Sequence, residues 1–227
     1  MKKLIYLMGT DGAGKTTLSH GLLRKLSEDG KKVKYLYARY YPILAYPFKI
    51  ISRLVLYKEN TQYKNYKRYS QLKTNYNRKH KVLARVYAIL CIIDYFVFAY
   101  LKVMYKYIFA DYIIVDRYVG DFVVTLSIAS GLKEYEMLFL LKLFHYFFPP
   151  PTLSFFIYVD EDVAFQRKDD IPSVMYLKER KLKYFILRNF YRFKIIDGHK
   201  SQKKISENVY IMINENRVES DKASKGV

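Results

Sequence analysis

Apolar positions along the chain fall into five short runs, separated by longer stretches in which they recur every three or four residues. Leu4 to Met8 is uninterrupted, residues 33–38 follow a stop at Gly30, Tyr112 to Val115 and Phe155 to Val159 are again continuous, and Lys194-Ile195-Ile196 is the last run. Short apolar runs of this kind predict buried strands. Between them, Leu18, Leu22, Leu23 and Leu26 predict a helix over 15–28. Residues 133–147 form a second amphipathic pattern closed by Pro149-Pro150-Pro151, 175–191 a basic helix, and 201–213 a last one. The polar tail 215–227 is expected to fray. Strands alternating with helices predict one α/β domain over 1–214, built on a five-stranded parallel sheet with helices on both faces. Ligands of such sheets gather beyond the carboxyl ends of the strands, where Gly9, Arg39, Asp116, Asp160 and Asp197 are expected to project.

Two stretches stand apart from this alternation, within a substrate-side segment expected over about 40–110 that Pro42 and Pro47 introduce. Residues 83–109 are nearly all apolar or aromatic and long enough to cross a membrane, but Asp94 at the middle would be costly in lipid, so a buried helix is expected. Residues 57–85 interleave tyrosines with Lys58, Lys64, Lys67, Arg68, Lys73, Arg78, Lys79, Lys81 and Arg85 against the single acid Glu59. This segment reads as a helix or mobile insertion. The whole chain of 227 residues carries 40 Lys and Arg against 21 Asp and Glu, a formal net charge of +19, together with 25 tyrosines. Such a field attracts polyanions, whether nucleotides, nucleic acid or an anionic membrane surface, without choosing among them. The single Cys91 excludes an intramolecular disulfide and any cysteine-based metal site, and a reducing cytoplasm is expected.

The candidate chemistry begins directly after the first run. Gly9-Thr10-Asp11-Gly12-Ala13-Gly14-Lys15-Thr16-Thr17 is a complete G-x-x-x-x-G-K-[ST] phosphate-binding loop between a strand and a helix. Its glycines allow the tight turn that aims backbone N–H groups at phosphate, Lys15 reaches the transferring phosphate, and Thr16 can place its hydroxyl on Mg²⁺. These features predict a nucleotide site in a P-loop NTPase three-layer sandwich. Asp116, at the end of the third strand, is expected to help hold the metal; Arg117 offers a bidentate fork for an acceptor phosphate. Asp11 is read either as orienting the acceptor or an arginine, as bracing the loop, or as a base for a hydroxyl acceptor.

The loop with Asp11, the Asp116-Arg117-Tyr118 tripeptide, the segment from Asp160 to Arg167 and Ile196-Asp197-Gly198 resembles, in order and across almost the whole chain, the thymidylate kinase family of nucleoside-monophosphate kinases. The resemblance implies ATP and Mg²⁺ as cofactors, dTMP or a related nucleoside monophosphate as acceptor, and a homodimer formed through helices. It implies catalytic roles for Lys15, Asp11, Arg117 and Arg167, with Arg167 or Lys168, then Arg180, supplied from a lid over about 166–180. Arg39, Asp116, Arg117 and Tyr118 are the expected acceptor contacts, and 196–198 is expected to lie against adenine. The chain departs from the family at Arg39-Tyr40-Tyr41-Pro42, which lacks the usual acid, and at Asp94-Tyr95, where the family has Asp-Arg. Both departures fall on acceptor recognition. Two further readings therefore stay open: a kinase of the same fold acting on a glycan or lipid-linked acceptor, and a module binding nucleic acid or a membrane surface through 57–85.

Overall fold

The computed structural model describes residues 2–48, 50 and 65–225, the stretch 217–225 by backbone alone. Of the basic segment expected over 57–85, Lys58, Glu59 and Lys64 lie outside the described residues. The architecture is α/β. Five parallel strands, β1 (Lys3–Met8), β2 (Val33–Tyr37), β3 (Tyr112–Asp116), β4 (Leu153–Tyr158) and β5 (Lys194–Asp197), form one sheet in the order β2-β3-β1-β4-β5. The runs of β1, β3 and β4 are uninterrupted because a central parallel strand is covered on both faces and tolerates apolar side chains at every position, whereas the edge strands β2 and β5 bury only Leu36 and Ile196. Along β1, Leu4, Tyr6 and Met8 enter one core while Ile5 and Leu7 enter the other. The strands on either side of β1 lead away in opposite directions. A crevice therefore opens beyond its carboxyl end.

Helices cover both faces of the sheet. On one, α1 (Lys15–Glu28) packs Leu18, Leu22 and Leu26 against Ile205, Val209 and Ile213 of the last helix, Gln202–Lys225. That helix runs past its expected end at residue 213, through the stretch expected to fray, because no glycine or proline interrupts it before Gly226. The opposite face is covered by Tyr66–Lys79, the long helix Lys81–Ile108, and the helices Val119–Ser130 and Glu134–Phe147. In chain order these four are α2, α3, α4 and α5. Beyond β4 follow α6 (Glu161–Gln166), α7 (Val174–Ile186), α8 (Arg188–Tyr191) and, after β5, the last helix α9. The expected basic helix over 175–191 is thus two, meeting at Leu187.

The expectation about α3 needs correction. α3 is a single helix, but it is not buried all round: only 28% of its most apolar stretch lies inside the molecule. Ala84, Ala88, Cys91, Tyr95, Ala99 and Val103 form its inward stripe, and small residues there let the helix approach the core closely. The described part of the basic segment is helical, as one of its two readings had it, but its charges are not all free. Lys73 is buried, with its ammonium lowered by desolvation, and Arg85 pairs with Glu136 at 2.5 Å.

Candidate functional site

The glycine-rich loop leaves β1 at Gly9 and enters α1 at Lys15. Gly14 has φ 85° and Gly12 φ 82°, in the left-handed region; a Cβ on Gly12 would also stand 2.2 Å from the Ala164 carbonyl oxygen of α6. The tight turn and the contact with α6 both require the missing side chain. Lys15 is buried, and its ammonium donates to the carbonyls of Gly9 at 2.9 Å and Thr10 at 2.7 Å. Burial lowers its pKa, Arg117 adds to the effect, and Asp116 and Asp11 oppose it. Gly9, Thr10 and Ala13 consequently form the underside of the loop. Asp11, Gly12, Gly14, Lys15, Thr16 and Thr17 line a cavity of about 810 Å³.

The far wall comes from the end of β3. Thr16 donates its hydroxyl to Asp116 Oδ2 at 2.8 Å, while the other carboxylate oxygen of Asp116, also buried, has no hydrogen-bond partner. Arg117 has φ 67°, an unusual angle for a residue with a side chain. Its guanidinium reaches back to Asp11 in a short ion pair and lies 3.7 Å from Asp121 Oδ1. Tyr176 of α7 donates to the other oxygen of Asp11 at 3.2 Å. Burial alone would raise the Asp11 carboxyl, but Arg117, with Lys15 and Arg180, outweighs it and holds the group well below the usual carboxylate range. Asp11 is thus a fixed anion.

The remaining expected residues divide. Arg39 and Arg167 both line the cavity, together with Lys168; Arg167 donates to the Gly198 carbonyl at 3.2 Å. Tyr118 does not reach it. Its ring is fully buried against Tyr6 and Phe148, and its hydroxyl donates to the Pro149 carbonyl at 2.7 Å, so the expected acceptor contact becomes a core contact. Arg180 lies behind the cavity wall, stacked 4.6 Å from the Tyr176 ring centre and donating to Thr125 Oγ1 at 3.3 Å. Tyr95 is 2% exposed and stacked on Phe122 with ring centres 4.1 Å apart. Tyr40 packs edge-on against the same ring.

Several site residues were not singled out in the sequence. Asp121 is the most informative: its carboxylate accepts from the Tyr6 hydroxyl at 2.7 Å, the Tyr118 N–H at 3.0 Å and the Tyr184 hydroxyl, and it backs Arg117 from the first turn of α4. Its spacing of four from Arg117 was the available signal. Tyr176 gave none, since its meeting with Asp11 joins positions 165 residues apart. On the side nearest residues 196–198, His199 bridges Asp197, at 3.0 Å, and Asp160, at 3.2 Å. The site thus comprises a glycine loop with a buried lysine, a threonine–aspartate pair with a free carboxylate oxygen, and an arginine set between two carboxylates. No protein-family model matches the chain, and no curated protein matches it.

Proposed function

We propose that the protein is a P-loop phosphotransferase that moves the γ-phosphate of ATP to dTMP or a related nucleoside monophosphate, in the manner of the thymidylate kinases its motifs resemble. The observation that carries this reading is one cavity lined by Lys15 and Thr16 together with Arg39, Arg117, Arg167 and Lys168. Phosphoryl transfer requires cations around both the donor and the acceptor phosphate, with the two held in line. Thr16 and Asp116 fit Mg²⁺, because Asp116 carries a buried carboxylate oxygen with nothing bound to it. Among the described residues no group of three or more His, Cys, Asp or Glu side chains could hold a metal unaided, so phosphate oxygens would complete the set. Mg²⁺ when bound supplies neutralisation of phosphate charge. Lys15 offers a point charge to the transferring group and Arg117 a fork to the acceptor. Asp11, held ionised far below neutral pH, is a poor proton acceptor and acts by orienting Arg117.

A second reading keeps the donor half and replaces the acceptor by a phosphate-free glycan or lipid-linked alcohol. It is favoured by Tyr95, which is sealed in the core and offers the cavity no hydrogen bond for a base. ADP release from Mg·ATP against dTMP, dUMP, CMP and phosphate-free sugar or polyprenol acceptors separates the two. Turnover confined to phosphate-free acceptors rejects the nucleotide reading, and no ADP release with any acceptor rejects both. Lys15→Ala is expected to lower kcat by about a hundredfold or more, since its charge acts on the transition state. Retained turnover in that variant would remove Lys15 from the site.

A further inference from the structure

We propose that the outer face of α3 and α5 docks the protein onto an anionic lipid surface. The evidence is the solvent side of α3, independent of the phosphotransferase reading. A helix packed on a soluble core turns polar residues outward, whereas here the outward stripe repeats Val82, Ile89, Ile93, Val97, Leu101 and Tyr105 at intervals of four or seven. Val82 is 79% exposed, Leu101 66% and Tyr105 68%. The neighbouring α5 adds Tyr135, Phe139, Leu143 and Tyr146 on a matching stripe, with Tyr146 84% exposed. Ile89 on one helix and Phe139 on the other line a shared groove of about 370 Å³, so the stripes form one continuous apolar surface. Contiguous apolar surface on this scale marks a contact that the isolated chain does not make.

Charge selects the occupant. Of the acids of α3 and the first turn of α5, Asp94 is buried against the backbone of residues 43–45 and Glu136 pairs with Arg85, while Glu134 is exposed against three lysines. Lys81, Lys102 and Lys142 flank the stripes, all exposed. An apolar face carrying tyrosines and edged with lysines matches an anionic interface, where the rings and aliphatic side chains enter the headgroup boundary and the lysines meet lipid phosphate. The exposed lysines beside the stripes favour lipid phosphate over a second copy of the same cationic face, and the homodimer that the resemblance implies is the outcome that light scattering separates. Asp94 keeps α3 tied to the protein, so the contact is peripheral and leaves the helix outside the bilayer.

The test is co-sedimentation of the full chain with phosphatidylcholine vesicles and with vesicles that also contain phosphatidylserine. Binding to the anionic vesicles, falling with added salt, is expected. The double variant Leu101→Ala/Phe139→Ala should weaken partitioning about tenfold or more while leaving the thermal midpoint unchanged, since both side chains already face water. Lys102→Gln and Lys142→Gln should each weaken it about fivefold on anionic vesicles and leave neutral vesicles unaffected. Equal or absent binding to the two vesicle types overturns the proposal. So does binding that the double variant leaves intact, or a dimer by light scattering that the double variant dissolves without any vesicle binding by the parent chain.

Discussion

Arg117 adopts a left-handed backbone angle that costs a residue with a Cβ on the order of 1 kcal/mol. The contacts of its side chain offset that cost, because the turn at the end of β3 carries the guanidinium back between Asp11 and Asp121. A lysine at this position keeps the charge and loses the planar fork, so it cannot address both carboxylates and an incoming anion together. Arg117→Lys is therefore expected to reduce kcat/KM about a hundredfold in the ADP-release assay with whichever acceptor is turned over. A rate within twofold of the parent would make the residue purely structural. Residue-level reading of the sequence brought together residues that line one cavity where they stand in consecutive positions, as in Gly14 to Thr17 and Asp116-Arg117. It failed at Tyr118, where adjacency to Arg117 suggested a shared role. The left-handed turn at Arg117 sends its side chain back to Asp11, and the Tyr118 ring enters the core.

At the scale of elements, β1, β3 and β4 were legible because central parallel strands are apolar throughout, the edge strands β2 and β5 from shorter apolar stretches, and α1 because its leucines repeat at helical intervals. The helix Val119–Ser130 was not legible. Its residues, rich in valine and with eight of its twelve positions buried, give no periodic contrast between faces. α3 was misread for a related reason: a helix apolar all round signals burial, yet the signal cannot tell a protein interior from another apolar surrounding. What holds α3 in place is Asp94, whose carboxylate accepts from the N–H groups of Ile43 and Leu44, each at 2.9 Å, and Ala45 at 3.1 Å. No local pattern pointed Asp94 to this partner, since the contact joins positions about fifty apart. Asp94→Ala strands these donors beside the core and is expected to cost on the order of 3 kcal/mol, read as a lowered urea midpoint. Asp94→Asn, which keeps one acceptor oxygen, should cost less. Equal midpoints for all three proteins would remove Asp94 from the anchoring of α3.

Across the whole molecule, stability is expected to depend on pH through a buried histidine. His145 of α5 lies against Tyr191, with Nε2 2.9 Å from its hydroxyl, and burial pushes the imidazole down to about 4 from an ordinary 6.5, the Phe148 backbone opposing in part. The unfolded chain takes up this proton below about 6.5 and the folded one only near 4, so stability is complete above 6.5 and falls as pH drops between the two. His145→Gln should flatten the urea midpoint between pH 6.5 and 4.5, and an unchanged slope would place the sensitivity elsewhere. The tie from Arg117 through Asp11 to Tyr176 carries a consequence on the same scale, since it links β3, the glycine loop and α7 through one carboxylate. On the proposed function, an anion that takes hold of Arg117 would weaken its grip on Asp11 and so alter the loop proposed to receive the nucleotide. The free energies of binding at the two halves of the cavity would then be coupled, and by linkage each ligand would change the affinity of the other by the same factor. Titration calorimetry of either ligand with the other at saturation should return that one factor, and Tyr176→Phe should change it without changing the net charge of the site.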